Sequence, residues 1–501
     1  MKFRYKILLV SLTVAIGFTA CNLDINDDPN RITDKNITGT LLLVSGYQGT
    51  AQRIASGNLT FIHNWLGYWS NSGSFAIDQT ETTYNITPGF GNTLWANLYG
   101  TLFDLTLSKR KSLEAGDSVA AGAAIILSAR LWQDLVDTYG NIPYSTAFSY
   151  TVNPHPTYDD GKDVYIGLMK SLDSAVMFMG AKALVSWPNY NLPKINGVAL
   201  TQKQWIQWAN TLKLRLLIHQ SEVNIFDEDA ELAKIDATSA GFLDATVFFN
   251  PGYTKSTNKQ SPFYANYGKT VADADAAPSV KANNYFLGLL NNDGDVRLDY
   301  YFVSPVVGTN YGAATGNPLN ASGVGEGLAK GNDQDAWLST DIESYFLQAE
   351  AIIRGWTSAS YGGTKDELYQ KGVSASFDFL GADASDLSDY LANYPYPGVN
   401  PGGLDTSTPD GELKALLYEK YKSMCGIDVM ESWTDLRRVG YDILPNDGYL
   451  SVNPSKMPGT DSDKIPVRLL LPQNEYTTNS ENALKQGTIK QFETKIFWDA
   501  N

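Results

Sequence analysis

Histidines and nucleophile motifs account for most zinc sites and for much acid–base and nucleophilic catalysis in proteins. The chain has 3 histidines, His63, His155 and His219, which are far apart in the sequence and have no cysteine or carboxylate cluster at zinc-ligand spacing. The sequence contains neither a G-x-S-x-G nucleophile elbow nor a phosphate-binding P-loop. His219 lies in an apolar stretch with helical spacing, which indicates a hydrogen-bonded core residue. We therefore nominate no catalytic residue and no zinc site.

Carboxylates are the other chemical candidates, with 54 Asp and Glu residues in the chain. A glycoside hydrolase needs two of them about 5 to 10 Å apart, but among so many no pair can be singled out. The run Asn291–Asp295 carries oxygen ligands that could chelate calcium, yet it misses the register of an EF-hand loop. A turn is the better interpretation, so we expect no metal ion and no other cofactor.

Aromatic side chains are the strongest chemical signal, because the chain has 29 Tyr, 20 Phe and 11 Trp. Tyr and Trp combine an apolar ring with a polar group that stays hydrated, which suits sugars and peptides. Many rings fall in two polar stretches, residues 55–91 and 243–337, that do not show helical periodicity. Their candidate ligand-binding rings are Trp65, Trp69, Tyr301, Tyr311 and Trp337. For each ring the alternative is an ordinary place in the core.

The charge balance excludes one class of partner. The formal net charge is -16, the sequence pI is about 4.7 and no basic patch dominates. Nucleic acid is therefore not an expected partner.

The first twenty residues have the pattern of a targeting segment. Three basic residues, Lys2, Arg4 and Lys6, precede a nearly continuous apolar stretch that ends at Ala20. The small residues before Cys21 are typical of a bacterial lipobox, although Phe18 stands where Leu is more common. We predict a lipoprotein signal peptide over residues 1–20, with acyl chains such as palmitate on Cys21; a plain secretory signal is the alternative. Residues 21–35 would then form an acidic tether to the membrane.

Cysteine usage agrees with this interpretation, because Cys425 is the only other cysteine. If Cys21 carries lipid, the chain can form no internal disulfide, and we expect Cys425 to be a buried small hydrophobic residue. After residue 20 we find no apolar stretch of transmembrane length.

Helical periodicity predicts the elements that must position these residues. Predicted helices pair along the chain: residues 92–113 with 119–138, 161–179 with 201–222, and 339–354 with 365–380. Ser118 is the expected N-cap of the second, and Gly140 its expected end. Such pairs indicate tetratricopeptide-like hairpins stacked on each other. Arg215, Arg437 and Arg438 lie among apolar residues, so we expect them to pair with Asp or Glu where the hairpins meet. Because no linker divides the chain, residues 21–501 are predicted to form one domain.

Several segments resemble the SusD/RagB family of nutrient-binding lipoproteins. The most specific is the helix end Tyr139-Gly140-Asn141-Ile142-Pro143-Tyr144. Residues 208–215 and 343–355 resemble the helices of later repeats, and residues 433–438 and 465–475 resemble the C-terminal end. The acidic segment after Cys21 is similar to the surface-export signal of Bacteroidetes lipoproteins.

The resemblance implies a mainly α fold, in which about four tetratricopeptide-like hairpins form a scaffold and a large irregular, aromatic-rich region packs on it. It also implies a lipoprotein of the outer membrane and cell surface that binds glycans and delivers them to a SusC-like TonB-dependent transporter. An arc of aromatics from two regions would bind the ligand, which favours Trp69, Tyr301 and Trp337. The alternatives are peptide capture, as in the RagB branch, and a surface hydrolase.

Overall fold

The computed structural model describes residues 37–149, 152–181, 189–313, 315–393, 407–440, 443–444 and 465–501. The chain divides into two units, Met1–Thr38 and Gly39–Asn501, and the fold below is that of the second. The predicted signal peptide, Cys21 and the acidic tether lie outside the described residues.

Helices dominate the described part of the chain, and they include every long helix that the periodicity predicts. They are α1 (Gly39–Ile54), α2 (Thr60–Trp65), α3 (Gln79–Thr82), α4 (Asn92–Glu114), α5 (Ser118–Tyr139), α6 (Gly161–Gly180), α7 (Gln202–His219), α8 (Glu228–Ala237), α9 (Pro262–Tyr267), α10 (Asn284–Asn292), α11 (Leu298–Tyr301), α12 (Asp341–Ile353), α13 (Lys365–Leu380), α14 (Ala384–Asn393), α15 (Pro409–Ser423), α16 (Val429–Val439), α17 (Gln473–Thr478) and α18 (Ser480–Leu484). A single 3-10 turn, Gly57–Leu59, precedes α2.

The strands are short and form two small sheets. They are β1 (Trp69–Asn71), β2 (Lys194–Ile195), β3 (Val198–Ala199), β4 (Val247–Phe249), β5 (Val280–Ala282) and β6 (Ala336–Ser339). One sheet pairs β1 with β5, and the other has the order β3-β2-β4-β6, with every pairing antiparallel.

The helical pairs confirm the predicted scaffold. Helix α4 packs on α5, α6 on α7, and α12 on α13, while a further consecutive pair, α15 and α16, is also in contact. The stretches 55–91 and 243–337 are less irregular than expected, because they contain the short elements α2, α3, α9, α10 and α11 as well as strands. Helices of four to nine residues are too short to show a clear period.

Local signals set the ends of α5. Gly140 ends the helix with φ +76°, a conformation that glycine adopts without strain. The predicted N-cap was wrong by one residue: the Asp117 side chain accepts a hydrogen bond from Ala120 N at 3.0 Å.

Among the described helices α5 alone is long and apolar enough to span a membrane, contrary to our expectation, yet 94% of its apolar window is buried. It is apolar because other helices surround it.

Buried ion pairs connect the hairpins, as expected for arginines in apolar helices. Arg215 contacts Glu343 at 3.0 Å and Glu431 at 2.7 Å, and Arg438 contacts Glu350 at 2.6 Å. Arg437 donates hydrogen bonds to the carbonyl oxygens of residues 137 and 467. Each of these charges sits where helices from different hairpins meet, so the pairs fix how the hairpins stack.

Two predictions about single core residues are confirmed. Cys425 is free and fully buried. His219 is buried between Asp137 and Glu431, with each ring nitrogen 3.0 Å from a carboxylate oxygen. Burial alone would lower the pKa of His219, but the two carboxylates outweigh it and raise the pKa to about 9.

Candidate functional site

The five predicted ligand-binding rings are all in the core. Trp65, Trp69, Tyr301 and Tyr311 have no exposed surface, and Trp337 is 3% exposed. A ring that stacks on a ligand needs an open face, so the expectation that these rings display one is wrong. The physical reason is that large aromatics remove the most apolar area from water when they are buried.

Two of these rings, one from each aromatic-rich stretch, donate hydrogen bonds to the same residue, Glu81. Tyr311 donates its hydroxyl proton to Glu81 Oε1 at 3.1 Å, and Trp65 Nε1 donates to the Glu81 carbonyl at 3.2 Å. Asn64 Nδ2 also donates to Glu81 Oε1, at 2.7 Å. Burial of the carboxyl group raises the pKa of Glu81 to about 7, although hydrogen bonds from Asn64 and Tyr311 oppose the shift. The Tyr311–Glu81 hydrogen bond therefore ties the two stretches together, because Trp65 and Glu81 both belong to the first one.

The other three rings also have structural partners. Trp69 stacks on His63 with ring centroids 3.7 Å apart, and burial lowers the pKa of His63 to about 3, so the imidazole is neutral. Tyr301 donates its hydroxyl proton to the carbonyl of residue 422 at 2.8 Å. Trp337 Nε1 donates to the Ile427 carbonyl at 3.0 Å, while its ring borders a cavity that is described below.

The two carboxylates of residues 291–295 have hydrogen-bond and ion-pair partners within the protein. Asp293 accepts hydrogen bonds from Tyr418 and Lys422, at 2.7 and 3.0 Å, and Asp295 is paired with Arg297 at 2.6 Å. Their charges are thus balanced by protein cations. Within the described ranges no group of three or more His, Cys, Asp or Glu residues is placed to hold a metal ion.

The two aromatic-rich stretches nevertheless meet, and their loops form an exposed surface. Strand β1 belongs to the first stretch and β5 to the second, with Trp69 opposite Ala282. On the other side of β5, Thr309 N donates to the Ala282 carbonyl at 2.9 Å. We call the loops beside these strands, residues 71–78, 303–313 and 315–320, the insertion surface.

Close packing holds the loops of the insertion surface together. A Cβ atom on Gly73 would lie 2.7 Å from the carbonyl oxygen of Asn317, so only glycine fits there without a backbone shift. Asn310 N donates to Asn317 Oδ1 at 2.8 Å, and Asn317 Nδ2 donates back to the Asn310 carbonyl at 3.1 Å. The surface is therefore arranged before any ligand arrives.

Exposed groups on the insertion surface suit a carbohydrate. Phe75 is 45% exposed and Leu319 is 77% exposed. The exposed Asn310 uses its Oδ1 to accept a bond from Asn284 at 3.0 Å, which leaves its Nδ2 available as a donor. An open ring can stack on the apolar face of a sugar, and amide groups of the same surface can bind its hydroxyl groups.

The sequence singled out the two stretches that supply this surface, but the rings it nominated there are buried. Phe75 is an aromatic ring among the small and polar residues of Ser72–Ala76. That pattern is a usable signal, because a loop of small residues offers little side-chain volume with which to cover a ring.

A groove with a volume of about 1000 Å³ lies away from the insertion surface, between α1, α4 and residues 257–271. Its described lining is rich in amide and hydroxyl side chains, including Gln48, Gln52, Asn97 and Asn266, and contains no aromatic ring. Because it lacks a stacking face, it suits a pyranose ring less well than the insertion surface does.

Comparison with known proteins decides the family. A model of SusD-like proteins, described as "Starch-binding associating with outer membrane", matches residues 29–472. The chain belongs to the SusD-like family. No curated protein sequence matches this SusD-like chain.

Solved SusD homologues share its fold. A chitin-binding SusD homologue from Flavobacterium johnsoniae has a TM-score of 0.73 and 22% identity, with 92% of this chain and 99% of that chain covered. SusD homologues from Bacteroides uniformis and Bacteroides thetaiotaomicron each have a TM-score of 0.71, 21% identity and the same coverage. The similarity confirms the mainly α, tetratricopeptide-like architecture.

Proposed function

We propose that this SusD-like protein binds a glycan at the cell surface and delivers it to a SusC-like TonB-dependent transporter in the outer membrane. The proposal rests on the match of residues 29–472 to the SusD-like family, because the description of that family names starch binding and the outer membrane. A fold neighbour that is described as chitin-binding supports a carbohydrate ligand.

Within this proposal, the insertion surface is the glycan site. Phe75 supplies the stacking face, and Asn310 supplies a hydrogen-bond donor for a hydroxyl group. One stacked ring contributes about 0.5 to 1.5 kcal/mol, so binding to a single sugar unit is weak. A polymer with many equivalent units gains affinity by repeated engagement.

The remaining parts of the proposal follow from the family and the N-terminal sequence. Acyl chains on Cys21 hold the protein on the outer face of the outer membrane, and the transporter is its partner there. We propose binding without turnover: His219 is held in ion pairs, His63 is stacked in the core, and the ring of the exposed His155 lies 3.0 Å from the Thr478 carbonyl oxygen.

Affinity electrophoresis of residues 22–501 through gels that contain individual polysaccharides tests the proposal. We expect one glycan to retard the protein and Phe75→Ala to reduce the retardation. Phe103→Ala is the matched control, because Phe103 is 40% exposed on α4, outside the insertion surface. Equal retardation of both variants would move the site elsewhere, and no retardation by any glycan would favour a peptide ligand. Release of shortened sugars from the retarding glycan would instead indicate a hydrolase.

A further inference from the structure

A second concave site lies where β4 and β6 meet the C-terminal end of α13. We call it the β4–β6 cavity; its volume is about 320 Å³. Phe248 and Trp337 are cross-strand partners in the β4–β6 pairing, so they share one face of the sheet. Phe379, near the end of α13, completes an aromatic wall. None of the lining residues belongs to the insertion surface.

The three rings hold each other in fixed orientations. Phe248 and Phe379 are nearly parallel, at 17° with centroids 6.5 Å apart, and Trp337 meets Phe379 edge-on at 5.1 Å. Phe248 and Phe379 are half-buried, in contrast to the five fully or almost fully buried rings above. Part of the aromatic wall is therefore open to the cavity.

Three charged residues also line the cavity. Within the described ranges, Lys330, Asp333 and Asp335 form no salt bridge with any residue. The ammonium group of Lys330 donates to the Phe379 carbonyl and lies 5.3 Å from the centroid of that ring. Asp335 Oδ1 accepts from Asn250 at 2.8 Å. Both carboxylates thus keep free acceptor positions, and Lys330 keeps protons to donate.

The loop that carries these charges is held in place before binding. Gln334 Oε1 accepts from the backbone NH of Lys330 at 2.7 Å, and Gln334 Nε2 donates to the Leu328 carbonyl at 3.0 Å. Asn250 Nδ2 donates to the Asp333 carbonyl at 2.9 Å. A prearranged loop loses little conformational entropy when a ligand binds.

We propose that the β4–β6 cavity binds one or two sugar rings, as a carbohydrate site additional to the insertion surface. Phe248 and Phe379 face the apolar side of the sugar, Asp333 and Asp335 accept from its hydroxyl groups, and Lys330 donates to its oxygens. The volume is at the lower end of the range for ligand sites, about 300 to 1000 Å³, which limits the occupant to a small unit of the polymer. The inference rests on the proposed glycan function and adds a second contact along the same chain.

Ligand-observed NMR with maltose and with chitobiose tests the cavity. The protein is kept as the full lipidated chain in a detergent without a sugar headgroup. The cavity variants are Asp333→Ala, whose side chain has no described hydrogen bond, and Phe379→Leu, which keeps an apolar side chain but removes the ring. Asp229→Ala, exposed on α8, is the matched control.

We expect saturation transfer to at least one sugar and a roughly three- to tenfold loss of affinity in both cavity variants. Asp229→Ala, the control, is unchanged. Full affinity in both cavity variants would overturn the inference. No transfer to either sugar would also overturn it. If a polysaccharide still retards the protein in that case, the proposed function stands; if none does, both proposals fail.

Discussion

Glu81→Gln is the most informative single change, because the bond from Tyr311 to Glu81 joins the two aromatic-rich stretches. Trp65 and Asn64 bond to Glu81 from within its own stretch. Gln is nearly isosteric and keeps the acceptor oxygen that Asn64 and Tyr311 use. It removes only the ability to become charged. The variant therefore separates the cost of the buried charge from the hydrogen bonds around it.

The magnitude follows from the pKa of Glu81, which burial raises from 4.5 to about 7 in the folded chain. Below pH 4.5 the carboxyl group is neutral in both states, so it does not affect the free energy of unfolding. As the pH rises through 7, the unfolded chain releases its proton first and the folded state is destabilised, by about 3 kcal/mol at most. When the pH is raised from 5 to 8.5, the free energy of unfolding of Glu81→Gln should therefore increase by about 2 to 3 kcal/mol relative to that of the wild type.

Thermal unfolding at the two pH values measures this difference. For a folded unit of about 460 residues, 2 to 3 kcal/mol corresponds to about 2 to 3 °C in Tm. The Tm of Glu81→Gln relative to the wild type should be higher by this amount at pH 8.5 than at pH 5. Glu326→Gln is the control, since Glu326 is an exposed glutamate in the other aromatic-rich stretch. If the Tm difference between Glu81→Gln and the wild type is the same at both pH values, the buried-charge reasoning is refuted.

Three further changes test other parts of the structure. Gly73→Ala places a Cβ atom 2.7 Å from the carbonyl oxygen of Asn317, so we expect glycan retardation to fall with little change in Tm. Arg438→Met leaves the buried Glu350 without its contacts at 2.6 and 2.7 Å, and should destabilise the fold by about 3 to 5 kcal/mol, seen as a Tm lower by about 3 to 5 °C. Cys21→Ser should move the protein from the membrane to the soluble fraction, as cell fractionation would show.

Each of these changes has a control and a contradicting result. Gly100→Ala introduces a Cβ with nothing within 4 Å and should bind normally; equal binding by Gly73→Ala would show that the loop contact is unimportant. Lys485→Met breaks an exposed ion pair with Glu481 and should change stability by less than about 0.5 kcal/mol. Arg438→Met with a similarly small effect would contradict the role of the buried pair. Membrane retention of Cys21→Ser would argue against a lipid anchor.

The amino-acid sequence determined the scaffold, because helix formation and helix pairing rest on local patterns. Apolar residues at helical spacing located α4, α5, α6, α7, α12 and α13 to within a few residues. A glycine after an apolar helix marked the end of α5. Arginines in apolar helices indicated buried ion pairs, and Arg215 and Arg438 form them.

Only the tertiary structure decided which aromatic rings are exposed. Trp69 and Phe75 lie six positions apart in one polar stretch, yet the first is fully buried against His63 and the second is 45% exposed. Burial of a ring depends on what distant segments place over it, as Tyr267 does for Trp69, and such contacts leave no period in the sequence. The sequence therefore indicated the two aromatic-rich stretches, whereas long-range packing selected the side chains that face solvent.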